Sequence, residues 1–89
     1  MHSVSITISN KLGLHARAAA KLTQLAGRYS SEIFIARGSQ RVNAKSIMGV
    51  MMLAAGMGVT VVVDAQGDDA EQALKDIQAL FDAKFGENE

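Results

Sequence analysis

Val4, Ile6 and Ile8 alternate with Ser3, Ser5, Thr7 and Ser9, the period-two pattern of a strand with one face buried. The period then changes. From Ala16 to about Gly27, residues Ala18, Ala19, Leu22, Leu25 and Ala26 recur at helical spacing, and Gly27 is a suitable stop. Glu32–Ala36 reads as a second strand, and Gly38-Ser39 as a hairpin turn into a short third strand, Gln40 to Asn43. Ser46 is placed to cap a short apolar helix from Ile47 to about Leu53. A Gly56-Met57-Gly58 corner leads into Val59–Val63, a run of strand-forming residues. Gln66-Gly67-Asp68-Asp69 then turns into a last helix, whose apolar stripe comprises Ala70, Ala73, Leu74, Ile77, Leu80, Phe81 and Phe85. The order β-α-β-β-α-β-α predicts an α+β fold, a mostly antiparallel sheet with helices on one face and a wet opposite face.

At 89 residues the chain suits a single domain spanning residues 1–89. The absence of Cys removes disulfides, thiol nucleophiles and sulfur-bound metals, and two histidines, His2 and His15, cannot build a His cage. No metal or other cofactor is therefore expected. Lys and Arg balance Asp and Glu at a formal net charge of +0, so the overall basic field that favours nucleic acid is missing. The apolar run Ile47–Met57 is too short to span a membrane and is broken by Gly49 and Gly56. No basic stretch precedes an apolar run at the start of the sequence, which suggests a cytoplasmic protein. His2 is expected to fray, and Asp68, Asp69 and Glu71 to cap the last helix and offset its dipole.

Candidate chemistry begins where the first helix does. A helix start carries up to four unpartnered N–H groups and a partial positive charge, normally answered by a Ser, Thr, Asp or Asn cap and acidic residues. Here the cap position falls on His15, and the first turn holds Arg17 instead of an acid. The site is one anion short. Phosphate would fit: free N–H groups and Arg17 can hold its oxygens, and a neutral His15 imidazole can attack phosphorus. A cap histidine beside a solvated arginine explains the same residues, and on spacing alone both readings stay open. Ser46 can be both a cap and a phosphorylation target. In the short helix, Val50 and Leu53 can face the core together, which leaves Ile47, Met48 and Met51 as an adaptable docking surface.

Leu12-Gly13-Leu14-His15-Ala16-Arg17 and Val42-Asn43-Ala44-Lys45-Ser46-Ile47-Met48-Gly49, with the length and element order, resemble HPr, the histidine-containing phosphocarrier family of the bacterial phosphotransferase system. The resemblance covers essentially the whole chain. It implies an open-faced β-sandwich: four antiparallel strands in the order 1-4-2-3, with three helices on one side. It also implies a carrier rather than an enzyme. His15 would accept phosphoryl on Nδ1 from Enzyme I and pass it to an Enzyme IIA component, with Arg17 balancing the phosphate charge. Ser46 would be the site of a regulatory HPr kinase/phosphorylase in lineages possessing one. Ala16, Ala20, Ile47, Met48 and Met51 would contribute to the docking surface, with Lys45 available to acidic partners. A monomer is expected, with no nucleic-acid or membrane partner.

One position departs from the family pattern. Many members carry Pro directly after the His-x-Arg triplet, where this chain has Ala18; the change frees one donor and loosens one φ angle, worth up to roughly 1 kcal/mol of rigidity. The same resemblance admits a nitrogen-regulatory relay as the alternative to sugar transport. A different class also shares the element order: ferredoxin-like RNA-recognition modules, which stack bases on strand aromatics. Phe34 is the one aromatic on an expected strand, which argues against that class.

Overall fold

The alternating residues of the first strand need an apolar layer beneath them, and the fold provides it. The computed structural model describes residues 2–87. Its elements are β1 (His2–Thr7), α1 (Ala16–Ala26), β2 (Glu32–Arg37), β3 (Gln40–Asn43), α2 (Ile47–Met52), β4 (Thr60–Gln66) and α3 (Ala70–Asp82), followed by a tight turn at Lys84–Gly86. The strands form one antiparallel sheet in the order β1-β4-β2-β3. This is the open four-stranded architecture that the resemblance implies.

Register places Val4, Val63, Ile35 and Val42 in one row across all four strands. Ile6, Val61, Ile33 and Ala65 fill neighbouring places on the same inner face, where all four are buried. The helices cover that face. α1 contributes Ala18, Ala19, Leu22 and Ala26, and α3 contributes Ala70, Ala73, Leu74, Ile77 and Phe81. The small alanines let helix backbone approach the sheet, while the larger side chains fill the spaces between.

The outer face is wet but tied together. Its central aromatic, Phe34, lies beneath the Arg41 guanidinium, 3.9 Å from the ring centroid. Arg41 reaches from β3 across β2 to Asp64 on β4, donating from Nη2 at 2.7 Å and from Nε at 3.2 Å. A two-pronged charge-assisted pair laid flat on an aromatic ring uses the geometry that arginine has and lysine lacks. The strand signal at Val59–Val63 continues as far as Gln66 because Ala65 joins the inner layer and Asp64 holds this clamp.

Three expectations change. His2 does not fray: it pairs opposite Ala65 in β1. Phe85 is buried, but no continuous helix brings it there; α3 ends at Asp82, and the chain turns through positive φ at Lys84, Phe85 and Gly86. Asp69 precedes α3 without making a side-chain cap bond. Its carboxylate instead accepts from the Ser30 and Ser31 backbone N–H groups at 2.9 and 3.0 Å, and from both serine hydroxyls. It thereby ties the α1–β2 loop to the start of α3.

These bonds, led by that from the Ser31 hydroxyl, lower the Asp69 pKa from 3.8 to about 2. The folded state therefore favours the carboxylate. The stabilisation is complete above the unfolded value and is lost as pH falls through the interval from about 4 to about 2. We expect Asp69→Asn to be less stable than the parent at neutral pH and to lose less stability on acidification. Denaturant titrations at pH 6, 4 and 2.5 check this, and parallel curves at all three would refute it.

Candidate functional site

His15 is the N-cap of α1, with extended backbone at φ −74 and ψ 178 and no capping bond from its side chain. Its carbonyl accepts the Ala19 N–H at 2.8 Å, so the helix starts immediately after it. The first turn contains no acid, and among the described residues no side chain accepts from the N–H groups of Ala16, Arg17 or Ala18. Arg17 is solvent-exposed and forms no ion pair among the described residues. Ala18 is fully buried, so the position where many family members carry Pro packs its methyl group into the core.

The entry to the helix is set by Gly13, at φ +63. A Cβ there would lie 2.6 Å from both the Ala55 carbonyl oxygen and the Gly56 Cα. The neighbouring Leu14 N–H donates to that same Ala55 oxygen at 2.9 Å. The loop carrying His15 is thus pressed against the corner that follows α2, and α1 and α2 pack against each other.

Val50 in α2 and Leu53 at its C-terminal cap are buried while Ile47, Met48 and Met51 are 41%, 68% and 40% exposed, the division the helical spacing predicts. The apolar surface is wider than the sequence reading had it, with Leu12, Met52 and Met57 also exposed. Ala16 is exposed and Ala20 half-buried on α1. Ser46 caps α2 by accepting the Gly49 N–H at 3.2 Å, and it remains exposed. The Lys45 ammonium donates to the Tyr29 carbonyl at 2.8 Å, so the fold already engages the cation expected to meet acidic partners.

Two residues absent from the sequence reading complete the surroundings of His15. Its Nε2 lies 2.5 Å from Glu87 Oε2, and the other carboxylate oxygen accepts from Asn10 Nδ2 at 3.1 Å. Asn10 Nδ2 also donates to the Gly13 carbonyl at 2.8 Å. Both partners are acceptors, which fixes the amide orientation and leaves the buried Asn10 Oδ1 without a partner among the described residues. The hydrogen bond to His15, and after it that from Asn10, pulls the Glu87 carboxyl below its ordinary pKa. No group of residues able to hold a metal ion occurs among the described residues, and none of their helices is long and apolar enough to cross a membrane.

The family model described as "PTS HPr component phosphorylation site" matches residues 2–83. The chain belongs to the HPr family. It is 57% identical over 83 residues to phosphocarrier protein HPr of Cupriavidus necator, covering 93% of each chain. It is also 51% identical over 82 residues to phosphocarrier protein NPr of Shewanella violacea, covering 92% of this chain and 90% of that one. Among solved structures, HPr-C-His of Thermoanaerobacter tengcongensis superimposes with a TM-score of 0.97 at 47% identity, covering all of both chains. Membership in the HPr family makes this protein a phosphocarrier of the phosphotransferase system and not an enzyme acting on a substrate of its own.

Proposed function

We propose that His15 is the phosphoryl acceptor, that Enzyme I is the donor, and that an Enzyme IIA component of a permease or of a nitrogen-regulatory branch is the acceptor. The observation that carries this reading is the placement of a partly exposed imidazole at the opening of α1, beside Arg17 and first-turn N–H groups that no described side chain caps. Such an opening is electropositive and suits a mobile dianion. Transfer is in-line between two nitrogens: the Nδ1–P bond forms as the donor's N–P bond breaks, and that electron pair returns to the donor. First-turn N–H groups and Arg17 stabilise the charge on the moving phosphoryl. The chain acts as a cytoplasmic monomer, and docking is transient, through Ile47, Met48 and Met51 with Ala16 and Ala20 at the edge.

Phosphorus NMR after incubation with Enzyme I and phosphoenolpyruvate tests the assignment. A resonance characteristic of Nδ1-phosphohistidine supports it, and an unmodified protein or an Nε2 adduct defeats it. The RNA-module reading loses its footing at Phe34, whose face is already covered by Arg41.

Ser46 is the regulatory position in this proposal. A phosphate there adds about two negative charges beside an apolar docking face. Aspartate is also a good N-cap, so Ser46→Asp leaves α2 intact while charging its approach. We expect phosphoryl acceptance from Enzyme I to slow roughly tenfold, with the melting temperature nearly unchanged. Stopped-flow or quench kinetics check this, and a rate equal to that of the parent removes Ser46 from the scheme.

A further inference from the structure

The chain leaves α3 at Asp82 and reverses through three successive residues with positive φ: Lys84 at 55, Phe85 at 57 and Gly86 at 77. Two of the three carry side chains, for which the left-handed region costs about 1–2 kcal/mol each. That conformation needs an anchor on either side. One is the buried Phe85 ring, edge-on to Phe81 with centroids 4.8 Å apart. The other is Lys21, whose Nζ donates to the Phe85 carbonyl at 2.5 Å and so fastens the turn to α1. The residue delivered by this anchored reversal is Glu87, with its carboxylate between Asn10 and His15.

We propose that Glu87 is a positioning residue for phosphoryl transfer: it holds His15 in the tautomer that presents a lone pair on Nδ1. This inference rests on the reading of His15 as the acceptor. A neutral imidazole has one N–H and one lone-pair nitrogen, and the hydrogen bond made by one nitrogen decides the state of the other. An ionised carboxylate can only accept, so the nitrogen facing Glu87 must be Nε2–H. Nδ1 then carries the lone pair, and it has no hydrogen-bond partner among the described residues.

The same contact acts during the reaction. As the Nδ1 pair forms the new P–N bond, positive charge spreads around the ring toward Nε2–H, which keeps its proton throughout. Glu87 lies 2.5 Å from that nitrogen and stabilises the charge as it develops. Onward transfer runs the same steps in reverse and returns the lone pair to Nδ1. Asn10 holds the second carboxylate oxygen and the Gly13 carbonyl together, so carboxylate, ring and helix entry move as one unit.

The experiment compares the full chain with Glu87→Ala by two readouts. Nitrogen-15 spectra of the His15 ring at alkaline pH should show, in the parent, Nδ1 near the lone-pair position and Nε2 near the N–H position. In Glu87→Ala both signals should move toward each other as the second tautomer becomes populated. Rapid-quench transfer from phosphorylated Enzyme I should be roughly 10-fold slower in the variant at saturating donor, with the concentration dependence unchanged. Unchanged ring shifts or an unchanged saturating rate would each overturn the proposal. The spectra do not depend on phosphorylation, so a parent protein that fails to accept phosphoryl would instead count against His15 as the acceptor.

Discussion

His15→Ala is expected to reduce phosphoryl acceptance to background, a loss of roughly a thousandfold or more, because among the described residues no other side chain at the α1 opening offers a nucleophilic nitrogen with a free lone pair. Arg17 beside it is permanently charged and cannot attack phosphorus. The fold should barely register the change. The ring is partly exposed, and its one side-chain hydrogen bond among the described residues is to Glu87. Helix α1 begins with the His15 carbonyl, which alanine retains. The measurement is incorporation of labelled phosphate from phosphoenolpyruvate through Enzyme I, alongside a thermal melt. A variant that still carries label would refute the assignment, and one that melts far below the parent would show that the ring has a structural role.

Gly13→Ala should do the opposite and damage the fold. Two separate penalties meet at this position. The backbone lies in the left-handed region, and a methyl group would come within 2.6 Å of main-chain atoms of Ala55 and Gly56 that cannot swing aside. Relief requires the His15 loop to part from the α2 corner, which breaks the Leu14–Ala55 hydrogen bond. Together these effects should remove about 2–4 kcal/mol, a fall in melting temperature of roughly 10–20 °C for a domain of this size. Gly38→Ala is the control. It has a similar φ of +59 but open space around the absent methyl, so only the backbone penalty of about 1 kcal/mol applies. Equal losses in the two variants would show that the collision at Gly13 is unimportant.

The parts of this structure that could be read in the sequence share one property: their determinants lie within a few residues of each other. The serine alternation around Val4 and Ile6, the alanine and leucine spacing of α1, and the Ser46 cap are local patterns, and each becomes the expected element. The histidine at a helix start without acidic neighbours was visible for the same reason. Glu87 was not, because it meets His15 across 72 residues and Asn10 across 77, distances that no periodicity encodes. Phe85 shows the complementary failure. Its spacing from Phe81 suits a helical stripe, and it does reach the core, but by a left-handed reversal. Asp69 has the right type and position for a cap, yet the two serines at 30 and 31 compete successfully for its oxygens. In both cases tertiary contact overrides a local preference.

The Arg41 bridge over Phe34 bears on how the molecule meets its neighbours. A bare aromatic at the centre of an open β-surface invites a second sheet to stack upon it, the beginning of clumping at the concentrations a relay protein needs. With a hydrated cation spread over the ring and anchored to Asp64, that side repels dry stacking. The exposed methionines Met48, Met51 and Met52 lie on α2 instead, so the open apolar surface and the covered aromatic sit on different elements, and only the first is left bare.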